Sequence, residues 1–153
     1  MEEELIMKII IGSDHAGFAL KEKVAARLRE QGYEVVDVGP ESADRVDYPV
    51  YGAKVGRAVM EADDARGIVI CGSGIGISIA ANKIDGIRCA LCNDPLCAKL
   101  CRQHNDANVL GMGARIVGEA MAYEIVDQFL AAEFEGGRHA GRVELIHELE
   151  RNR

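Results

Sequence analysis

Short apolar runs alternate along this chain with longer segments of helical spacing. Five runs rich in isoleucine and valine have the length of buried strands, and they lie at 5–11, 34–38, 67–71, 87–92 and 107–110. Six segments place their apolar residues three or four positions apart and predict helices at 18–31, 48–61, 75–83, 95–104, 118–132 and 138–151. Strands that alternate with helices predict an α/β fold with a doubly wound, five-stranded parallel sheet in a three-layer αβα sandwich.

The chain contains no internal repeat and no linker rich in proline or serine, which predicts one Rossmann-like domain over residues 1–153. The last predicted helix, at about 138–151, follows two glycines and forms a C-terminal extension. Its apolar stripe consists of Val143, Ile146 and Leu149. We expect this extension to pack on another surface, in particular that of a partner subunit.

Charge and composition narrow the class of partner. The chain has 18 basic and 25 acidic residues and a net charge of −7, which argues against nucleic acid or an anionic membrane surface as the main partner. The acidic N-terminus and the absence of a long apolar run predict neither a signal peptide nor a transmembrane helix. Five cysteines, an odd number, indicate reduced thiols in the cytoplasm rather than a disulfide framework. A small anionic ligand held by a few arginines is compatible with this composition.

Polar residues that follow the predicted strands are the candidates for chemistry, because open parallel sheets bind ligands at the carboxyl ends of their strands. Three segments carry them: 12–17 (GSDHAG), 71–76 (CGSGIG) and, near the fifth strand, 102–106 (RQHND). We expect the side chains of these segments to converge at one edge of the sheet. The candidates are Asp14, His15, Cys71, Ser73, His104 and Asn105.

The glycine loop 72–76 joins a strand to a helix, so its N–H groups should face an anion or an oxyanion. Ile77 replaces the last glycine of a dinucleotide fingerprint, and the loop has no Walker lysine. Cys71 precedes this loop, where a thiol loses its proton more readily and becomes a base or nucleophile. The alternatives are a turn that merely lets strand and helix pack, and a cysteine that acts as a small buried hydrophobe.

The spacing of the other four cysteines argues against a zinc site. Cys89 and Cys92 lie three apart on a predicted strand and so face opposite sides of it, and the gap to the next cysteine is too short for a second ligand pair. Cys97 and Cys101 share a helical face, and we expect both to fill core. We therefore predict no metal.

Two arginines of the last predicted helix, Arg138 and Arg142, share one face with His139 close by. Such a pair is suited to clamp a phosphate, and the alternative is a solvated face paired with nearby glutamates. Together with the thiol, imidazole and glycine loop, this predicts cofactor-free chemistry on a phosphorylated small molecule. Proton transfer beside a carbonyl and acyl transfer by Cys71 with His104 both suit these groups, and spacing alone does not separate them.

Five motifs of this chain resemble those of the type B ribose-5-phosphate isomerases, a family grouped with isomerases of galactose and allose 6-phosphates. They are IGSDHAGF at 11–18, DYP at 47–49, ICGSGIGISIAANK at 70–83, RQHND at 102–106 and EGGRH at 135–139. The resemblance runs from about Lys8 to the C-terminal helix. It implies interconversion of ribose 5-phosphate and ribulose 5-phosphate through a cis-enediolate, in the non-oxidative pentose phosphate pathway and without metal or cofactor.

The resemblance also implies roles for single residues. Cys71 matches the base that moves the proton between C2 and C1. His104 matches the residue that helps open the furanose ring. Ser73 matches the hydroxyl that assists proton movement between O1 and O2. The loop positions that match the anion hole for the enediolate are Gly72, Gly74, Ile75 and Gly76. Positions around the sugar are matched by Asp14, Tyr48 and Asn105, and positions near the phosphate by His15, Arg115, Arg138 and Arg142.

Members of the family are dimers or tetramers with shared sites, so the resemblance implies a homodimer or tetramer of this chain. Two alternatives stay open. One is a hexose-6-phosphate isomerase acting on allose or galactose phosphates, which differs in pocket depth. The other is a non-catalytic sugar-phosphate-binding module, which the presence of Cys71, His104 and the glycine loop disfavours, since binding alone needs no thiolate.

Overall fold

The structure is a computed structural model that describes residues 7–153. Its elements in chain order are β1 (Lys8–Ser13), α1 (Phe18–Glu30), β2 (Glu34–Asp37), α2 (Tyr48–Glu61), β3 (Ala65–Cys71), α3 (Ile75–Ala81), β4 (Cys89–Leu91), α4 (Pro95–Asn105), β5 (Val109–Gly113), α5 (Glu119–Ala131) and α6 (Arg138–Arg151). The strands form one parallel sheet in the order β2-β1-β3-β5-β4. This confirms the predicted doubly wound α/β fold with five parallel strands.

Helices cover both faces of the sheet, and the side chains of each strand alternate between them. On one face, Ile9 and Ile11 of β1 pack in the cluster formed with α1, α4 and α5. On the other face, Ile10 of β1 and Val69 of β3 pack against α2 and α3. Because successive side chains of a strand point to opposite faces, the buried strands read as continuous apolar runs.

All the predicted elements are present, and the bounds of α2 and α6 are those predicted. The predicted first strand began at residue 5, and its first two residues lie outside the described part. β4 is only Cys89–Leu91, because Ile87 N–H donates to the carbonyl of Ile84 in a turn. β5 begins and ends later than predicted, because Ala107 N–H still donates to the end of α4 and because two glycines continue the strand.

The prediction for one cysteine is wrong. Cys97 is exposed, whereas Cys101 is buried in the core. Cys97 lies in the first turn of α4, where Leu96 is also exposed, so this turn lies outside the core. Cys89 and Cys92 pack against opposite faces of the sheet, as their spacing predicted.

The C-terminal helix α6 is attached to its own chain at its far end. Both carboxylate oxygens of Glu150 accept from Gly86 N–H, at 3.0 and 3.1 Å, and Arg88 Nη1 lies 2.8 Å from Nε2 of His147. Ile146 and Leu149 remain exposed. Packing of this helix on a partner subunit stays a prediction. Within residues 7–153, none of the helices combines the length and the apolar composition that crossing a membrane requires.

A buried lysine pairs with more exposed carboxylates and joins α1 to the end of β2. Lys21 is completely buried, and its Nζ lies 2.5 Å from Asp37 Oδ2 and 2.9 Å from Glu22 Oε1. Asp37 also accepts from Gly39 N–H at 2.8 Å, which fixes the turn after the strand. A buried charge of this kind depends on its partner, because desolvation is otherwise uncompensated.

We expect Lys21→Met to lower the free energy of unfolding by about 2 kcal/mol, because it removes the charged hydrogen bond that ties α1 to Asp37, whose side chain is 23% exposed. Lys23→Met is the matched control on the same helix. Its exposed pair with Glu119, at 3.2 Å, should contribute less than about 1 kcal/mol. Urea unfolding followed by circular dichroism measures both variants, and equal losses would contradict the assignment.

Candidate functional site

A pocket of about 610 Å³ opens at the carboxyl ends of β1 and β3. We call it the carboxyl-edge pocket. It lies where the strand order reverses direction, which is the usual ligand site of an open α/β sheet. The predicted site residues that line it are Asp14, Tyr48, Cys71, Gly72, Ser73, Ile75, Gly76 and Arg115, together with the isoleucines Ile79 and Ile116.

Cys71 is the last residue of β3, and its thiol is buried beneath the glycine loop. The N–H of Gly74 donates to its Sγ at 3.2 Å, and the N–H of Ile75 donates to Ser73 Oγ at 3.2 Å. Cys71 also lines the pocket. The loop therefore places a backbone donor at a sulfur that a molecule in the pocket can reach.

Glycines let the loop lie directly against β5. Gly74 has φ +80°, and a Cβ there would lie 2.6 Å from the carbonyl carbon of Met112. A Cβ at Gly113 would lie 2.5 Å from the backbone of Ser73. The N–H of Arg115 donates to the carbonyl of Gly72 at 2.9 Å, so the segment after β5 is tied to the loop and Arg115 reaches the pocket. Spacing gave no signal for Arg115, which only the family resemblance indicated.

Loops after β1 and before α2 complete the pocket. The carboxylate of Asp14 accepts from Gly17 N–H at 2.9 Å and is nearly buried. Tyr48 is the first residue of α2, and its ring lies so close to Gly76 that a Cβ there would be 2.6 Å from Tyr48 Cζ. His15 lies beside the pocket without lining it, because its Nδ1 is 3.2 Å from the carbonyl oxygen of Val46.

The expectation that all the candidates converge at one edge is wrong for His104 and Asn105. The segment 102–106 precedes β5 instead of following it, and a helix of a parallel sheet runs opposite to the strands. The end of α4 therefore lies at the amino edge, where Arg88 Nε donates to the carbonyl of Asp106 at 2.9 Å. The length of β5 alone separates this edge from Gly113 by about 13 Å. Asn105 lines a different groove, which lies between β4 and α6.

His104 belongs to a second group of polar side chains, the histidine cluster, which consists of His104, Glu135 and His139. The two imidazole rings stack with centroids 4.5 Å apart and planes 14° apart. Oε1 of Glu135 lies 3.7 Å from Nε2 of each histidine. Burial lowers the pKa of His139, and the positive charge of Arg138 lowers it further.

Arg138 and Arg142 project from α6 near this cluster and are both exposed. Among residues 7–153, neither has a carboxylate within 4 Å, so the alternative of pairing with Glu144 or Glu148 is not formed. Two unpaired guanidinium groups beside an imidazole can hold a phosphate. These two arginines and the carboxyl-edge pocket lie on different parts of one chain.

The histidine cluster is also the group of side chains within residues 7–153 whose ligand atoms lie close enough together, within 4.8 Å, for a metal ion. An imidazole nitrogen binds a metal in the plane of its ring. Because the two rings are stacked and almost parallel, one ion cannot lie in both planes unless a ring turns. The geometry of the cluster therefore suits proton transfer better than metal binding.

The chain is similar to known proteins in both sequence and structure. Residues 9–146 match the family described as Ribose/Galactose Isomerase. The chain is 52% identical to ribose-5-phosphate isomerase B of Escherichia coli (strain K12), over 95% of this chain and 98% of that protein. It resembles the structure of Clostridium thermocellum ribose-5-phosphate isomerase B with a TM-score of 0.94 at 54% identity, covering 95% of this chain and 99% of that one. A structure of the Mycoplasma genitalium protein with bound ribulose-5-phosphate matches with a TM-score of 0.92 at 40% identity, covering 96% and 98%.

The contact between β5 and the glycine loop predicts that Gly113→Ala displaces the loop and lowers the free energy of unfolding by about 2 kcal/mol. Gly118→Ala is the control, because a Cβ at Gly118 has no atom within 4 Å. We expect the control to change stability by less than about 1 kcal/mol. Urea unfolding of both variants tests this, and a Gly113 variant as stable as the control would show that the loop accommodates the methyl group.

Proposed function

The chain belongs to the ribose/galactose isomerase family, and we propose that it interconverts ribose 5-phosphate and ribulose 5-phosphate through a cis-enediolate. The observation that carries this proposal is the thiol of Cys71, buried in the carboxyl-edge pocket with the N–H of Gly74 directed at its sulfur. Proton transfer between neighbouring carbons requires a base beside them and donors for the oxyanion. The name of the Escherichia coli relative supports the substrate.

In the proposed reaction, Cys71 removes the proton from C2 of the open-chain aldose and returns it to C1. Ser73 moves a proton between O1 and O2, for which its hydroxyl stands at the pocket wall. Since the N–H of Gly74 serves the sulfur, the N–H groups of Ile75 and Gly76 are free to stabilise the enediolate oxygen once substrate displaces Ser73 Oγ from Ile75. Gly72 leaves room for the guanidinium of Arg115 beside the loop.

We propose that a second copy of the chain completes each site. The roles implied for His104 in ring opening and for Arg142 in phosphate binding require these residues to face a Cys71 pocket, yet within one chain His104 lies at the opposite edge of the sheet. The rim of the pocket supports pairing, because Ile75, Ile79 and Ile116 are all more than half exposed. Exposed apolar side chains grouped around a pocket are typical of a surface that another protein covers.

A symmetric dimer makes this contact twice, so both pockets are completed together. In it, Asp14 and Tyr48 contact the sugar from one subunit and Asn105 from the other. His15 and Arg115 approach the phosphate from one subunit and Arg138 and Arg142 from the other. Pairs of such dimers give the tetramer. The reaction takes no metal or cofactor. We place it in the non-oxidative pentose phosphate pathway. The five free thiols are compatible with a reducing cytoplasm.

A hexose-6-phosphate isomerase is the second candidate, because the family description includes galactose as well as ribose. The proton transfer would be the same, and the two differ in the length of sugar that the completed pocket accepts. We expect kcat/KM for ribose 5-phosphate to exceed that for allose or galactose 6-phosphate by at least about tenfold. The reverse preference would establish the hexose activity.

We expect Cys71→Ala to lower kcat by roughly 10²–10⁴-fold with KM changed less than about threefold, because the thiolate acts in the transition state and not in ground-state binding. Proton NMR in D2O, following loss of the C2 proton of ribose 5-phosphate and formation of the ketose, measures the effect. Cys97→Ala, at an exposed position, is the control and should keep normal activity. Weaker binding with unchanged turnover would contradict the role of Cys71.

The shared site predicts that two defective proteins restore each other. Cys71→Ala lacks the base, and Arg142→Ala should raise KM strongly because it lacks a phosphate contact. After subunit exchange in an equal mixture, half of the dimers are mixed and each has one complete site, so about a quarter of the normal activity should return at low substrate concentration. If all site residues came from one chain, the mixture would be no more active than its components.

A further inference from the structure

The buried imidazole of His139 has no part in the chemistry proposed above. Its side chain is 8% exposed, and its Nε2 has no hydrogen-bond partner within residues 7–153. A buried polar nitrogen without a partner is costly and calls for an explanation. Oε1 of Glu135 lies 3.7 Å from this nitrogen and 3.7 Å from Nε2 of His104, which is within ion-pair range but longer than a hydrogen bond.

The backbone holds Glu135 firmly against the end of α4. Its N–H donates to the carbonyl of Gln103 at 3.0 Å, next to His104 in the chain. Gly136 and Gly137 follow with φ of +66° and +55°, a turn that side chains disfavour, and it brings His139 into the first turn of α6. Two imidazoles, one from α4 and one from α6, are thereby placed around one carboxylate oxygen of the segment that joins α5 to α6.

Electrostatics distinguish the two stacked rings. The charged groups that face them are Glu135 from the connection, and Arg138 and Arg142 from α6. Burial and these arginines lower the pKa of His139. The side chain of His104 is 39% exposed, so solvent reaches it more easily than it reaches His139. A carboxylate near Nε2 of an imidazole attracts the N–H there and leaves Nδ1 for another partner.

We infer that Glu135 is a positioning residue for ring opening: with the stacked ring of His139, it holds His104 through Nε2 so that Nδ1 faces the furanose. This inference rests on the proposed isomerase function. In the step, His104 acts as an imidazolium that keeps its Nε2 proton directed at Glu135. The electron pair of the C1–O4 bond moves to O4, and O4 takes the proton from Nδ1. The proton on O1 passes to water as the C1 carbonyl forms, and His104 regains a proton from solvent.

The chemistry of the two substrates isolates this step. Ribose 5-phosphate is a furanose and must open before its C2 proton can be removed. Ribulose 5-phosphate stays open, because the oxygen that would close its five-membered ring carries the phosphate. Exchange of its C1 proton with D2O therefore requires Cys71 and the enediolate but no ring opening.

The experiment measures both reactions by proton NMR for the same variants. We expect Glu135→Gln to lower kcat/KM for ribose 5-phosphate by about tenfold and to change the exchange rate of ribulose 5-phosphate by less than about twofold. Glu135→Asp should recover part of the loss. His139→Ala should behave like Glu135→Gln, and His139→Phe, which keeps a stacked ring, should recover activity. Glu133→Gln, at an exposed position two residues earlier, is the control and should leave both rates unchanged.

Equal losses in the two reactions would overturn the inference, because they would show a general effect on the site. Unchanged consumption of ribose 5-phosphate by Glu135→Gln would overturn it as well. If the unaltered protein catalysed neither reaction, the proposed function itself would be wrong and this inference with it. If the unaltered protein exchanged the C1 proton normally and Glu135→Gln behaved like Glu133→Gln, only the role of Glu135 would be excluded. The proposed function would stand.

Discussion

In a parallel sheet, each covering helix runs opposite to the strands, and this constraint divides the chemistry of the chain between two edges. The loops after β1 and β3 carry Asp14 and Cys71 to the carboxyl edge. The end of α4 carries His104 to the amino edge, together with Arg138 and Arg142 of α6. Strands of about five residues keep the edges roughly 15 Å apart, which no side-chain rotation spans. On the function proposed here, pairing of two chains is what joins the halves.

At the carboxyl edge, close backbone contacts hold the glycine loop in a defined position. Gly74 and Gly113 allow the loop after β3 to touch β5, and hydrogen bonds from the segment after β5 hold it there. The sulfur of Cys71 consequently meets an N–H donor at a fixed distance. The histidine cluster is built differently, from one helix end, one turn and the start of another helix, and Glu135 lies 3.7 Å from a nitrogen of each ring.

The amino-acid pattern was sufficient for the architecture. Buried strands of isoleucine and valine, separated by amphipathic helices, specify a parallel sheet covered on both faces, and the structure has each of those elements. The ends of elements were less predictable, because turn hydrogen bonds shorten β4 and glycines extend β5. Cys97 was misplaced because helical spacing shows which residues share a face but not whether that turn of the helix is covered.

By itself, the sequence determined the fold class, the glycine loop with Cys71 before it, and the residues that carry the family resemblance. These are local properties, since periodicity and loop composition act over a few neighbouring residues. Tertiary structure alone decided which of the candidates meet. Whether residues 102–106 lie before or after a strand end depends on the direction of α4 in the sheet. Glu135 lies near His104 because a turn and a backbone hydrogen bond bring together segments that are distant in sequence. The spacing of residues along the chain cannot predict such a contact.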